Sequence, residues 1–291
     1  MASQSRVAAV TGANKGIGLA IVRQLALQYP SSPFKSGPFL IYLTARSPER
    51  GADAVKALNS DPQLKEAKVL SEDGGDTTIK YQALDISQTK SVQDFRDFLE
   101  KEHPEGIDIL INNAGIAMDG FDSNVVKKTL ETNYYGTLEA SQSLLPLIKP
   151  GGRLVNVSST SGLLNKYSDE IRDAFHAAAK TSVPAVTAIM QQFQQAVDQG
   201  KEKEAGFPSA AYAVSKAGET AYTKVLAMEE AKKNTGILVN ACCPGYVNTD
   251  MTKGRGRKTI DEGAKTPVML ALQDIGGKTG EFWRNEEADE W

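Results

Sequence analysis

The chain has 291 residues, a formal net charge of -3 and 41% hydrophobic side chains, enough to bury the core of one large α/β domain. The slightly acidic balance argues against nucleic-acid binding, which needs a surplus of Lys and Arg. No segment approaches the roughly 20 apolar residues that cross a bilayer, and the start lacks a secretion-signal pattern. We therefore expect a cytoplasmic protein that binds neither nucleic acid nor membrane.

The two cysteines, Cys242 and Cys243, are adjacent, so one chain cannot use them to link distant parts of its fold. His103 and His176 are isolated from other metal-binding side chains in the sequence. The sequence therefore predicts reduced thiols and no metal site.

Short apolar runs alternate with amphipathic helical patterns along the chain. The predicted strands are Val7 to Val10, Phe39 to Leu43, Ile79 to Leu84, Ile107 to Ile111, Leu154 to Val157 and Leu238 to Ala241. The predicted helices are Leu19 to Gln28, Ser91 to Lys101, Val125 to Ile148, Ala210 to Lys233 and Gly263 to Gln273. Alternating strands and helices favour an α/β fold with a doubly wound parallel sheet.

Two segments interrupt this alternation. Tyr29 to Pro38 is rich in Pro and Ser and is typical of an enlarged surface loop. Gly162 to Pro208 has a helical, polar pattern but is too short to bury much core alone. We therefore predict a single domain over residues 1–291 with a helical insert at about 162–208, before the helix that contains Tyr212.

A glycine-rich stretch, Thr11 to Gly18, comes directly after the first predicted strand. Glycine permits the positive φ angles of a tight turn, and its missing side chain lets a pyrophosphate approach the helix N-terminus. A purely structural turn is the alternative explanation. Its position between strand and helix favours dinucleotide binding through residues Gly12, Asn14, Lys15, Gly16, Ile17 and Gly18.

The residue after the second strand discriminates between NAD and NADP, because a carboxylate there binds the ribose hydroxyl and a cation binds the 2′-phosphate. Here Arg46 follows Thr44 and Ala45, and Lys15 lies in the glycine stretch. Each cation alone could be a solvated surface charge. Together they favour NADPH (or NADP) as the cofactor.

Tyr212 and Lys216 are four residues apart in a long helical pattern, so they lie on one helix face. A positive neighbour should lower the tyrosine pKa and help the phenol to exchange a proton near neutral pH. Upstream, Ser158 and Ser159 follow a strand, where a hydroxyl could hydrogen-bond a substrate carbonyl. The alternatives are a Tyr packed under a Lys side chain and a serine that satisfies local backbone.

These residues, with Asn112 to Gly115, Asn133 and Pro244-Gly245, resemble the short-chain dehydrogenase/reductase family, which has a Rossmann fold. The similarity covers nearly the whole chain. It is closest to the monomeric NADPH-dependent carbonyl reductases, through Asn14 to Arg23, Leu144 to Pro150 and Ala241 to Gly245.

The resemblance implies a tetrad: Tyr212 donates the proton, Lys216 tunes it, Ser159 rather than Ser158 orients the carbonyl, and Asn133 holds a water linked to Lys216. It further implies cofactor contacts from residues outside the glycine stretch. These are Arg46, Asp85, Ile86, Asn113, Tyr212, Lys216, Pro244, Gly245, Val247 and Thr249.

We therefore expect an oxidoreductase that transfers hydride from NADPH to aldehydes or ketones such as aromatic ketones, quinones and keto esters. The alternatives are a dehydrogenase of one secondary alcohol, such as a steroid or sugar alcohol, and a non-catalytic NADPH sensor. The resemblance also implies a monomer, because its insert covers the surface through which other members of the family pair.

Overall fold

The computed structural model describes residues 5–291, within which eight strands form one sheet in the order β3-β2-β1-β4-β5-β6-β7-β8. All neighbouring strands are parallel except β7 and β8. The strands are β1 (Arg6–Val10), β2 (Phe39–Ala45), β3 (Thr77–Ala83), β4 (Ile107–Asn112), β5 (Ile148–Val157), β6 (Leu238–Cys243), β7 (Phe282–Arg284) and β8 (Glu287–Asp289).

Helices connect the strands. They are α1 (Gly16–Gln28), α2 (Pro48–Asn59), α3 (Pro62–Glu66), α4 (Thr89–Glu102), α5 (Ser123–Leu130), α6 (Thr137–Leu144), α7 (Asp169–Ala178), α8 (Val183–Asp198), α9 (Ala211–Lys233) and α10 (Ile260–Leu272). A π-helical turn, Glu131–Gly136, joins α5 to α6. No helix within residues 5–291 has both the length and the apolar character to cross a membrane.

The sheet is buried on both faces. Side chains from α1, α2 and α10 pack on one face, and those from α4, α5, α6, α8 and α9 pack on the other. All residues of β4 are buried, including the polar Asp108 and Asn112 near its two ends, as expected for a central strand that is covered on both faces. The predicted doubly wound parallel sheet in a single domain is therefore confirmed.

The chain order reverses at β1, which lies between β2 and β4. Val10 pairs with Leu43 on one side and Ile111 on the other, so the three strands end at nearly the same level. Ligands of such sheets bind in the crevice outside the carboxyl ends at this reversal. The glycine-rich stretch begins there, immediately after Val10.

The observed elements differ from the predicted ones in three places, and one of them is that helices α2 and α3, between β2 and β3, were not predicted. The helix predicted from Val125 to Ile148 is wrong in its last residues, because α6 ends at Leu144 and Ile148 already belongs to β5. Pro146 explains the early end, since proline lacks the N-H that a continuing helix needs. The three-residue strands β7 and β8 were not predicted.

The segment between β5 and α9 contains α7 and α8. Helix α8 packs against α5 and α9, and its Met190 and Phe193 are fully buried. At the end of the chain, the Trp291 ring makes edge contacts with Phe175 and His176 of α7. This helical layer therefore extends the core on the α9 side of the sheet.

The loop from Tyr29 to Pro38 is also tied to the body of the protein. Tyr29 stacks on Phe39 with ring centroids 4.2 Å apart. The Phe34 ring receives two guanidinium groups, Arg6 at 4.7 Å and Arg153 at 5.1 Å from its centroid. Cation-π contacts of this kind fix the loop against Arg6 at the start of β1 and Arg153 of β5.

Candidate active site

The predicted site residues gather at one edge of the sheet. Six of its strands end there, and the segment after each contributes predicted residues: the glycine-rich stretch, Arg46, Asp85 with Ile86, Asn113, Ser159, and Pro244 to Thr249. Tyr212 and Lys216 come from the first turns of α9, and Asn133 comes from the π turn.

The glycine-rich stretch forms a tight turn that side chains would block. Gly12 and Gly16 have φ angles of +61° and +58°, and a Cβ on Gly12 would lie 2.8 Å from the Ala114 Cα. Helix α1 begins at Gly16, and no side chain caps its first N-H groups. The turn therefore offers backbone donors and open space to an anion such as pyrophosphate.

Asn113 and Thr11 brace this turn. The Asn113 Nδ2 donates to the carbonyl oxygens of Thr11 at 3.0 Å and Gly12 at 3.1 Å. In return, the Thr11 hydroxyl accepts from the backbone N-H groups of Asn113 and Ala114, both at 3.0 Å. The Asn113 amide therefore holds the turn in shape, a role that sequence reasoning missed.

The two predicted phosphate-binding cations have different surroundings. Arg46 is exposed at the end of β2 and has no ion-pair partner among residues 5–291. Lys15 is exposed as well, but its Nζ lies 2.6 Å from the Asp250 carboxylate. Arg46 is therefore directly available to a ligand phosphate, whereas Lys15 would exchange Asp250 for one.

Asp85 and Ile86 follow β3, beside the end of β2, where the Leu84 N-H donates to the Ala45 carbonyl at 3.1 Å. The Asp85 carboxylate accepts from the backbone and the hydroxyl of Ser87. Asp85 is thus oriented by its own loop, on the same side of the crevice as Arg46.

Tyr212 and Lys216 lie on one face of α9, as the four-residue spacing predicts. The Lys216 Nζ lies 5.9 Å from the centroid of the Tyr212 ring. It donates to the Val157 carbonyl at 2.8 Å, which ties α9 to the end of β5. The lysine is only 3% exposed, so its charge acts on the phenol through protein rather than water.

The pKa of Tyr212 departs from the prediction based on Lys216 alone. Burial raises this pKa, whereas the charge of Lys216 and hydrogen bonding from Ser159 lower it, and the net direction is upward. Glu219 also raises it. The pKa of Tyr212 therefore lies above its ordinary value, which favours the protonated phenol.

The two serines after β5 have different environments. The Ser158 hydroxyl is buried and interacts with the Lys216 carbonyl at 3.1 Å and the Thr220 hydroxyl at 2.8 Å. Ser159 is partly exposed, and its hydroxyl affects the pKa of the Tyr212 phenol. The geometry therefore favours Ser159 for contact with a substrate and gives Ser158 a structural function.

Asn133 lies fully buried in the π turn. Its Oδ1 accepts from the Ile116 N-H at 2.8 Å, and its Nδ2 donates to the Ile116 carbonyl at 2.8 Å and the Ser215 hydroxyl at 3.1 Å. Both amide donors are thus in use. The remaining lone pair of Oδ1 is the place where the predicted water could donate.

The segment after β6 covers the crevice. Gly245 turns it with φ +89°, and Val247 is buried. The Thr249 methyl group would lie 3.6 Å from a Cβ on Gly16, so this segment approaches the glycine turn closely. A further ion pair, Lys253 with Asp119 at 2.7 Å, joins it to the loop after β4.

One buried acid was missed by sequence reasoning. Glu219 is fully buried on α9, and its Oε2 lies 2.5 Å from the Lys216 Nζ. The signal was present, because a Glu three residues after a Lys on a helix faces the same side.

Comparison with known proteins gives this arrangement its context. The family model described as short chain dehydrogenase matches residues 6–201 and 196–259. Carbonyl reductase (NADPH) 3 of Rattus norvegicus is 40% identical over 302 residues, and carbonyl reductase (NADPH) 1 of Homo sapiens is 39% identical over 301 residues; each match covers 100% of both chains.

Among solved structures, salutaridine reductase from Papaver somniferum superposes with a TM-score of 0.80 at 26% identity. The match covers 96% of this chain and 99% of that one. The fold, the site and the full-length sequence matches agree, and the chain belongs to the short-chain dehydrogenase family.

Proposed function

We propose that this protein is an NADPH-dependent carbonyl reductase, which converts aldehydes and ketones to alcohols. The observation that carries the proposal is the convergence of Tyr212, Lys216 and Ser159 at the carboxyl edge of the sheet, beside the glycine turn. Full-length similarity to two proteins named as NADPH carbonyl reductases supports the same cofactor and reaction class.

The residues fit NADPH. The glycine turn would hold the pyrophosphate, and Arg46, with Lys15 nearby, would bind the 2′-phosphate. No carboxylate follows β2 to favour NADH instead. The remaining proposed contacts are Asp85 and Ile86 for the adenine, Asn113 for the ribose region, Pro244 and Gly245 for the turn under the nicotinamide, and Val247 and Thr249 for its carboxamide.

When bound, NADPH supplies the hydride that adds to the carbonyl carbon. Ser159 hydrogen-bonds the carbonyl oxygen and stabilises the charge that develops there. Tyr212 gives its proton to that oxygen and becomes a phenolate, so the product is a neutral alcohol. The Lys216 ammonium stabilises the phenolate, and Asn133 would hold the water through which the proton is replaced.

The mouth of the site supports apolar substrates. Among residues 5–291 the exposed large hydrophobic side chains are few, and Met118, Tyr246 and Met251 belong to the segments after β4 and β6 that flank Ser159. Exposed apolar side chains around a crevice indicate a binding surface. We therefore propose aromatic ketones, quinones and keto esters as the substrate class.

The insert at about 162–208 supports a monomer. Helix α8 covers parts of both α5 and α9, so a second copy could not pack on those helices at the same place. Sedimentation at several protein concentrations tests this proposal, and a concentration-dependent dimer would contradict it.

The direct test is NADPH oxidation with a panel of quinones, aromatic ketones, keto esters and aldehydes. Tyr212→Phe should lower kcat/KM at least about a hundredfold, because it removes the proton donor and leaves the ring in place. Tyr135→Phe, which removes an exposed hydroxyl in the neighbouring π turn, is the control and should keep full activity.

Other outcomes would overturn the proposal. Faster oxidation of one alcohol than reduction of any carbonyl would identify a dehydrogenase. NADPH binding without turnover across the panel would identify a cofactor sensor. Turnover that does not depend on Tyr212 would show that the mechanism is wrong.

A further inference from the structure

Glu219 is an acid at a position where burial alone would exclude a charge. The residue is 0% exposed, and its Oε1 has no hydrogen-bond partner within residues 5–291. Burying an isolated carboxylate is costly, so such groups are found paired or protonated. Its one ionic contact in the described chain is the Lys216 Nζ, at 2.5 Å from Oε2.

This contact uses one of the three N-H donors of Lys216. A second goes to the Val157 carbonyl at 2.8 Å, and one remains for the crevice. The ammonium is thus fixed between the end of β5 and the interior of α9.

The other ionisable groups around Glu219 are thiols and phenols. Burial raises the pKa of the Cys242 thiol and of the Tyr222 phenol far above their ordinary values, and it also raises that of Tyr134. Cys243 and Tyr212 are the remaining ionisable groups of this cluster, on the side of the crevice. Burial raises the pKa of Glu219 to about 7, although the charge and the hydrogen bond of Lys216 lower it. Within residues 5–291, Lys216 is the cation that acts on Glu219, and above that pH the two form an ion pair.

Tyr212 consequently faces an ion pair rather than a lone cation. The negative charge of Glu219 offsets part of the field by which Lys216 would favour the phenolate. Reduction needs Tyr212 as a phenol, which donates a proton, whereas alcohol oxidation needs it as a phenolate, which accepts one. An offset field therefore favours the starting state for reduction.

We propose that Glu219 is a positioning residue that fixes Lys216 and keeps the Tyr212 phenol protonated, and so biases the site toward carbonyl reduction; this inference rests on the proposed function. Glu219 is fully buried, so it would touch neither substrate nor cofactor. It acts only through Lys216 and through its charge.

The test is Glu219→Gln, which keeps the shape and removes the charge. In a plot of kcat/KM for reduction against pH, the fall at alkaline pH should begin about one pH unit lower than in the parent. The rise of kcat/KM with pH for oxidation of the product alcohol should shift to lower pH by the same amount. The ratio of oxidation to reduction at a fixed pH of about 8.5, where Glu219 is ionised, should then rise about tenfold.

A matched control lies on the same helix. Glu230 is 4% exposed and its Oε1 lies 2.5 Å from the Lys233 Nζ, again three residues away. Glu230→Gln should leave both pH limbs unchanged, although it removes a buried carboxylate of the same kind. If both variants lose stability but only Glu219→Gln changes the pH profile, the change in the profile comes from the lost charge and not from impaired folding.

Two further measurements keep the proposal testable if Glu219→Gln does not fold. Glu219→Asp retains the charge and should keep the alkaline limb of the parent. In the parent itself, the reduction rate should stay level up to roughly pH 9, about a unit below the ordinary pKa of tyrosine. If the reduction rate of the parent begins to fall well below that pH, the proposal is wrong.

The failure of this inference is distinct from the failure of the proposed function. If Tyr212→Phe abolishes reduction while Glu219→Gln keeps the parent's pH limbs, the function stands and the inference is wrong. If Tyr212→Phe remains active, both are wrong.

Discussion

The two edges of the sheet place their charges in opposite ways. At the amino edge, Asp108 is 1% exposed and accepts from Arg6 at 2.7 Å, Lys149 at 3.1 Å and the Val7 N-H at 2.8 Å. At the carboxyl edge, Arg46 and the first turn of α1 have no partner of this kind in the described chain. The amino edge therefore uses these charges for stability, whereas Arg46 and the start of α1 at the carboxyl edge are left for a ligand.

The largest expected effect at the amino edge is that of Asp108→Asn. It leaves two cations without their buried counter-charge, and we expect it to lower the free energy of unfolding by about 3 kcal/mol, since Arg6 is partly exposed. Denaturant unfolding measures this loss, while kcat/KM of the folded protein should not change.

The control for this substitution is Asp94→Asn, which removes an exposed carboxylate paired with Lys90 on α4. It should change the free energy of unfolding by less than about 0.5 kcal/mol. Equal losses in the two variants would contradict the contrast between the edges.

At the carboxyl edge, Arg46→Ala should leave stability unchanged and weaken NADPH binding. Loss of charged hydrogen bonds to the 2′-phosphate corresponds to about 2 kcal/mol, or a rise of roughly thirtyfold in the KM for NADPH. The KM for NADH should hardly change. Arg50→Ala, an exposed cation one turn into α2, is the control, and an unchanged preference for NADPH in Arg46→Ala would refute the assignment.

The smallest expected effect is the pH dependence of stability that arises from a histidine near the amino edge. Burial, followed by the charge of Lys149, lowers the pKa of His103, whose Nε2 lies 2.9 Å from the Tyr42 hydroxyl. Because the unfolded chain then takes up a proton at higher pH, the protein should lose stability as pH falls below the ordinary value of about 6.5.

Thermal unfolding between neutral and mildly acidic pH measures this dependence. His103→Gln should reduce the fall in Tm, since its side chain does not titrate in that range. A variant with the same fall as the parent would assign the pH dependence to other groups.

The sequence was sufficient for the features that depend on local patterns. Alternating apolar runs and helical periodicity predicted the parallel sheet, because burial on both faces leaves a continuous apolar sequence. The four-residue spacing predicted that Tyr212 and Lys216 share a helix face. Glycines between the first strand and helix predicted the turn at the sheet reversal.

Features that depend on distant contacts could not be predicted in this way. Strands β7 and β8 have three residues each and become strands only by pairing with β6 and with each other. The π turn around Asn133 interrupts a helix whose local sequence carries no Gly or Pro until Gly136. The pKa of Tyr212 rises because burial, which spacing does not reveal, outweighs the nearby cation.

The antiparallel strand β8 has a consequence for behaviour at high concentration. A sheet edge with free backbone groups is a template on which other chains can add strands and form aggregates. Here the outermost strand is only three residues long, with Glu287 and Asp289 on it and an ion pair from Arg284 to Asp289 at 2.7 Å. Because this edge strand is short and charged, it resists the addition of strands from other chains at this side of the molecule.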